Sequence, residues 1–288
     1  MATDRIERRN YRRIEAHPIA GALGAEIVGA DLSALDDELI RDIRQALLDH
    51  LVIFFRDQTL TPQQHKAFGL RFGPMDRHPF MNPAEDDPDI LLVLKNVEDR
   101  VNVGGIWHSD VTFQECPALG SVLYAKELPP KGGDTLFANM YLAYESLSDG
   151  MRAMLDRLTA VHSAAHVFGP NSKRYAGKLS TRLHNQEAAM SETEHPVVRT
   201  HPETGRKLLF VNSGFTVRFK DMTEEESRPL LDFLYRHLSR PEFTCRFRWT
   251  PNAVAFWDNR STQHLAINDY HGYRRLMHRV TIAGDRPV

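Results

Sequence analysis

The forty residues from Phe243 to Ile282, FTCRFRWTPNAVAFWDNRSTQHLAINDYHGYRRLMHRVTI, decide the fold class. FTCRFRW alternates polar and apolar residues, AVAFWD (Ala253–Asp258) is a continuous apolar run, and RLMHRVTI (Arg275–Ile282) ends in β-branched residues. Alternation sends successive side chains to opposite faces of a strand, and a short apolar run bounded by turn residues suits a strand buried on both faces. The last part of the chain is therefore read as strands. Just before it, Thr223 and Glu226 form a capping box and Glu224–Glu226 place acid at the positive helix end. That helix runs to about His237, with Leu230, Leu231, Leu234 and Leu238 as its core face.

Toward the N-terminus, GALGAEIVGADL (Gly21–Leu32) alternates weakly among glycines and suits a strand or hairpin. Asp36 and Asp37 precede the apolar stripe Leu39, Ile40, Ile43, Leu47 and Leu48, which predicts an amphipathic helix. Leu51–Phe55 reads as a buried strand, and Thr61-Pro62 as a cap and first helical residue of a helix ending near Gly73, with His65 facing solvent. Ile90–Leu94 reads as a further strand. The stretch from about Phe168 to Pro196 is polar and lacks periodicity, so it is expected to be a long surface segment and candidate lid. Helices early and strands late predict an α+β protein: a jelly-roll (double-stranded β-helix) core of two antiparallel sheets with flanking helices. With no repeat, low-complexity run or Gly/Ser linker, residues 1–288 are taken as one domain.

Composition narrows the function classes. Thirty-six Lys and Arg against thirty-eight Asp and Glu leave a net charge of -2, too balanced for a protein that lives on nucleic-acid phosphates. No segment approaches the roughly 20 apolar residues of a membrane span. The N-terminal MATDRIERRNYRR carries positive charge with no apolar run behind it, so no signal peptide is expected and the location is read as cytoplasmic. The only cysteines, Cys116 and Cys245, suggest neither a disulfide framework nor a thiolate cluster. Any metal must use His and carboxylate.

The sharpest local feature is Trp107-His108-Ser109-Asp110, a His-x-Asp expected inside a strand, where His108 and Asp110 share a face. A second imidazole from a distant strand would complete the 2-His-1-carboxylate triad of non-haem Fe(II) oxygenases. His264 in WDNRSTQH is the candidate. Eleven residues beyond it is Arg275, and four further is Arg279. Alternation puts Arg275, Met277 and Arg279 on one face, with the two guanidinium groups about 13 Å apart. Buried charge needs a counter-charge, so the pair calls for two anionic ligands on either side of a metal.

With those residues in place, the chain resembles the taurine dioxygenase (TauD/TfdA) family of Fe(II)/2-oxoglutarate-dependent oxygenases. The resemblance runs from GALGAEIVGADL through FFRDQ, RFGP, WHSDVTF, KELPPKGGDTLFANM, HPVVRTHPETGRKLLFVN and WDNRSTQH to RRLMHRVTIAGDRP. It implies that His108, Asp110 and His264 hold Fe(II). Arg275, helped by the hydroxyl of Thr135 in GGDTLF, would bind the distal carboxylate of 2-oxoglutarate, which is consumed with O2 as a co-substrate. Trp257 would line the metal and co-substrate pocket. The resemblance further implies decarboxylation of 2-oxoglutarate to succinate and CO2, coupled to hydroxylation of a substrate C–H bond. A good leaving group on that carbon would make the product collapse. Homodimers or homotetramers are common in the family.

The same resemblance assigns Arg279 to the anionic head of the substrate and His78, in RHPF, to its support. Taurine-specific members meet the amine end with three polar groups. The matching places here hold Met81, Gly104, and Val167 ahead of Phe168. A pocket lined that way pairs an ammonium poorly. The expected substrate is therefore an alkyl or aryl sulfonate, a sulfate ester or an aryloxyalkanoate, with taurine itself as the alternative. The segment VHSAAHVFG is similar to the aryloxyalkanoate members and RRLMHR to the sulfonate and sulfate members. A Zn(II) or Mn(II) cupin-type hydrolase would need neither arginine, and a non-catalytic module would have lost a ligand. An amine-directed hydroxylase would add an aromatic cage. The remaining histidines, His162, His166, His184, His195 and His201, are assigned to structure or surface.

Overall fold

The computed structural model describes residues 11–175 and 183–288. It opens with a hairpin of β1 (Glu15–Pro18) and β2 (Ala25–Val28), followed by α1 (Asp37–His50), whose first turn is capped by the Asp36 carboxylate accepting from the Leu39 amide. The expected stripe of α1 is buried through Leu39, Ile40, Ile43 and Leu47. Strand β3 (Val52–Phe55) is buried throughout, and α2 (Pro62–Leu70) begins at a capping box of Thr61 and Gln64. Such a cap is worth about 1 kcal/mol. Then come β4 (Met75–Asp76), β5 (Leu91–Lys95), β6 (Gly120–Glu127) and β7 (Thr135–Asn139). After α3 (Met140–Glu145) and α4 (Asp149–Leu155) follow β8 (Thr159–Ser163) and α5 (Ala165–Phe168). Next are β9 (Glu192–Pro196), β10 (Val198–Thr200), β11 (Lys207–Leu209) and β12 (Thr216–Phe219). The chain closes with α6 (Glu224–Leu238), β13 (Thr244–Phe247), β14 (Val254–Asp258), β15 (Thr262–Ala266) and β16 (Arg275–Ile282).

The protein is α+β. Its major sheet runs β1-β2-β3-β14-β6-β16-β4, with β5 also on β16, and it faces a smaller sheet ordered β13-β7-β15. Between them Phe54 stacks on Phe247 at 3.9 Å and meets Phe137 at 5.7 Å, edge to face. Leu123, Ala125, Ala255, Trp257 and Met277 fill the same layer. The alternate residues Ile53, Phe55, Val122, Tyr124, Val254, Phe256 and Val280 point the other way, against α1 and α2. Apolar cover on both faces is why β3 and β14 read as unbroken apolar runs. Burying one such aromatic side chain contributes roughly 2–3 kcal/mol.

Three expectations change. The sheets are not wholly antiparallel: β2 pairs β3 in parallel, because α1 carries the chain back to the same end before β3 begins, and two small further sheets, β12-β8-β9 and β10-β11, are present. His65 is fully buried, its Nε2 3.0 Å from the Val122 carbonyl, because α2 lays that face on the major sheet. The segment expected to be an unstructured surface stretch holds the end of α5, a 3-10 turn at Gln186–Met190 and β9, which pairs with β8. The rest of the candidate lid, residues 176–182, lies outside the described residues, as does most of the basic N-terminal arm. Cys116 and Cys245 are both free. No helix among the described residues is long and apolar enough to cross a membrane.

Candidate active site

The site lies between the facing sheets, on the inner side of β16. His108 and Asp110 do not belong to a strand. They sit in the connection from β5 to β6, held by one isolated bridge in which His108 and His264 exchange backbone hydrogen bonds of 3.2 and 2.8 Å. Directly after Asp110, Val111 adopts a left-handed conformation, φ 49°. For a β-branched residue that costs on the order of 1–3 kcal/mol and must be imposed by the surroundings. The bridge still delivers the expected convergence. Candidate ligand atoms of His108, Asp110 and His264 all lie within 4.8 Å of one another, and all three residues are buried. Asp110 Oδ1 is 3.7 Å from His108 Nε2 and 3.9 Å from His264 Nε2.

Protonation favours ligation. His108 Nδ1 lies 2.8 Å from the Ile106 carbonyl, which can only accept, so the proton sits on Nδ1 and Nε2 turns a lone pair to the centre. Burial pushes the pKa of His108 down and that of His264 to about 3, keeping both rings neutral. Burial alone would raise Asp110, but the Arg279 guanidinium, helped by the Ser121 hydroxyl, outweighs it, and the carboxylate stays ionised well below its usual range. Two neutral imidazoles and one carboxylate suit a divalent transition metal. Asp110 Oδ2 is anchored by the Ser121 hydroxyl at 3.0 Å.

On one flank, Arg275 is 4% exposed, yet its Nε and Nη2 have no hydrogen-bond partner. Burial pulls its pKa down, while Tyr270 and Asp134 act in the opposite sense. The Trp249 indole donates to Thr135 Oγ1 at 3.0 Å, so the Thr135 hydroxyl keeps its own hydrogen to give. The Arg275 guanidinium lies 5.7 Å from the ring of that same Trp249, and its unsatisfied donors together with a hydroxyl that can still donate fit a carboxylate ligand. On the other flank, Arg279 Nη1 donates to Asp110 Oδ1 at 2.9 Å and its buried Nε has no partner. His78 Nδ1 accepts from the amides of Phe80 and Met81 at 3.2 and 3.1 Å, leaving Nε2–H as a donor. Its ring packs 5.0 Å from Phe168. Met81, Val167 and Phe168 share one buried apolar cluster with Phe80, Val111, Phe113, Tyr175 and Phe215. Gly104 has φ +77°, and a Cβ there would stand 3.3 Å from His108 Cε1. Trp257 is fully buried 4.7 Å from the His264 ring, as core and site lining at once.

Ser121, Trp249, Tyr270 and Asn259 also belong to the site and escaped the sequence reading. Trp249 could have been found from the alternation of FTCRFRW, whereas Ser121 lies on β6, a strand absent from that reading. Tyr270 and Asn259 lie in turns that carry no such signal.

Comparison with known proteins places the chain in a family. The chain is 39% identical over 279 residues to an alpha-ketoglutarate-dependent sulfate ester dioxygenase of Pseudomonas putida, covering 96% of this chain and 91% of that one. It is 37% identical over 278 residues to an alkylsulfatase of Acinetobacter baylyi, covering 95% and 86%. The crystal structure of a taurine dioxygenase from Burkholderia xenovorans superposes with a TM-score of 0.81 at 37% identity, covering 96% of this chain and 93% of that one. The class is that of the 2-oxoglutarate (alpha-ketoglutarate) dependent dioxygenases. Within it, the model of the taurine catabolism dioxygenase TauD, TfdA family matches residues 15–281, and the chain belongs to that family.

Proposed function

We propose that this protein is an Fe(II)- and 2-oxoglutarate-dependent dioxygenase that hydroxylates an anionic small molecule with an apolar tail next to its leaving group, a sulfate ester foremost. Alkyl or aryl sulfonates and aryloxyalkanoates fall in the same class. The observation that carries this reading is the pair of buried arginines on β16, each with unpaired donors, on either side of the His108, Asp110 and His264 cluster. The two facing sheets are read as a jelly-roll core within one domain, with a cytoplasmic location and a homodimer or homotetramer as the working assembly.

In this reading His108 Nε2, His264 Nε2 and Asp110 Oδ1 hold the iron. Bound there, iron supplies activation of O2 at the expense of 2-oxoglutarate and removal of hydrogen from a substrate C–H bond. Arg275 fixes the distal carboxylate of 2-oxoglutarate with two parallel N–H donors, and Thr135 adds its hydroxyl. Arg279 and the Nε2–H of His78 receive the substrate's anionic head. The cluster of Phe80, Met81, Phe113, Val167 and Phe168 holds an apolar tail and keeps water away. One oxygen atom enters succinate and the other the substrate carbon. For a sulfate ester the resulting hemiacetal-like product expels sulfate and leaves an aldehyde.

Taurine fits less well. Met81 and Val167 offer no polar atom to an ammonium, and Gly104 offers no side chain. Two of the relatives, named for sulfate ester and alkylsulfate chemistry, support the same choice. The test is a panel measuring succinate release with an alkyl sulfate, a longer alkanesulfonate, a phenoxypropionate and taurine. Turnover is expected with the first group, and coupling to taurine alone would overturn the substrate reading.

A further inference from the structure

The motif WDNRSTQH supplies His264, but its most heavily bonded members lie at the end of β14 and in the turn that leads to β15 and have no part in the chemistry above. Asp258 and Arg260 are buried and paired twice, Arg260 Nε to Oδ1 at 2.9 Å and Nη2 to Oδ2 at 2.7 Å. His201 Nδ1 accepts from the amides of Glu203 and Thr204, so its Nε2–H donates to Asp258 Oδ2 at 3.0 Å. Glu203 meets Arg260 from the other side at 2.8 Å. This charge cluster fixes the turn that presents Asn259.

Asn259 is 1% exposed and its amide brackets the metal-ligand turn. Its Oδ1 accepts from the Asp110 amide at 2.6 Å, and its Nδ2 donates to the Asp110 carbonyl at 2.9 Å and the Ala118 carbonyl at 3.2 Å. Its own amide donates to the Leu119 carbonyl at 2.9 Å. The loop bearing Asp110 is thus wrapped around one side chain, directly before Val111 takes a left-handed conformation that its β-branched side chain disfavours. Within the loop the Gln114 amide donates to the Val111 carbonyl at 2.9 Å, while both backbone polar groups of Asp110 are held from outside it by Asn259.

We infer that Asn259 is a positioning residue: by gripping both backbone polar groups of Asp110 it fixes where that carboxylate stands relative to His264, which lies on the strand leaving the same turn. One hairpin then sets two of the three metal ligands. The inference rests on the proposed metal site, and the experiment separates the two. Metal-free full-length protein is titrated with Mn(II), and its melting temperature is recorded without metal. His264→Ala tests the site itself. Asn259→Ala tests the grip. Asn139→Ala is the control, because buried Asn139 also makes three side-chain hydrogen bonds, to the Ala22 carbonyl and the amides of Tyr141 and Leu142, none on a ligand residue.

Outer residues that orient metal ligands typically change affinity about 10–100-fold. Asn259→Ala is expected to weaken Mn(II) binding at least about tenfold, while Asn139→Ala lowers the melting temperature and leaves Mn(II) affinity within about twofold. Loss of affinity with His264→Ala but not with Asn259→Ala overturns the positioning role and leaves the site standing. No loss with His264→Ala overturns the site, and the positioning role with it. Equal weakening by Asn259→Ala and Asn139→Ala assigns both to general stability and overturns the inference. If Asn259→Ala does not fold, Asn259→Asp, which keeps the acceptor for the Asp110 amide but loses both donors, is titrated instead. Failure of both to fold makes the amide a folding determinant and likewise overturns it.

Discussion

The two ends of one strand differ in a way that residue type does not foretell. Arg275 and Arg279 are both buried, lie on the same face of β16 and stand four residues apart. Arg279 is already paired with Asp110 at 2.9 Å, whereas Arg275 keeps two donors without a partner. A buried charge with a partner is part of the folded architecture. A buried charge whose donors are only partly used is a cost held in reserve for a ligand. The end of the strand at Arg279 is therefore preassembled around the candidate metal ligands, and the end at Arg275 keeps donors free for a ligand.

The largest effect is expected at the junction of the two ends. His264→Ala should lower succinate release about 10³-fold or more, because charge stabilisation by a bound metal supplies several kcal/mol. Activity retained within tenfold would remove the centre on which the comparison turns.

Ligand-free stability contrasts the arginines directly. Arg279→Met leaves the Asp110 carboxylate buried beside two neutral imidazoles and should cost about 3 kcal/mol, or roughly 6–10 °C in melting temperature. Arg275→Met removes a charge that lacks a full set of partners and should leave the melting temperature unchanged or raise it. Equal losses in calorimetry would break the distinction.

Lysine substitutions sharpen it in turnover. A point charge cannot reproduce a two-pronged carboxylate contact, and charged hydrogen bonds are worth about 1.5–3 kcal/mol. Arg275→Lys should thus raise the KM for 2-oxoglutarate roughly 10–100-fold with little change in the KM for the substrate. Arg279→Lys should do the reverse. The smallest effect is expected for Thr135→Val, which removes one hydroxyl donor and should raise the KM for 2-oxoglutarate about three- to tenfold. An effect on the substrate KM instead would move Thr135 to the other end of the site.

Legibility followed the range of the forces involved. Helices α1 and α6 were readable because the cap, the first-turn acids and the apolar stripe all lie within one helical length, and Thr223 with Glu226 form the capping box that their spacing predicts. His65 was misread because the spacing of its helix does not say which side the major sheet covers. His108 and Asp110 meet His264 without the strand that the His-x-Asp pattern predicts. Convergence comes from the bridge to His264 and from the turn at Val111, not from a strand. Asn259 left no trace because its partner Asp110 is 149 residues away.

The sequence by itself determined the elements and the kinds of chemistry available: imidazole and carboxylate for a metal, guanidinium groups for anions, and apolar stripes for a core. These are properties of single residues and of spacings within a few turns. Tertiary structure decided which of fourteen histidines meet one aspartate, and which arginine is neutralised in advance. Those outcomes depend on distances between strands far apart along the chain, and burial turns such distances into pKa shifts and unpaired donors only once the two sheets have closed on each other.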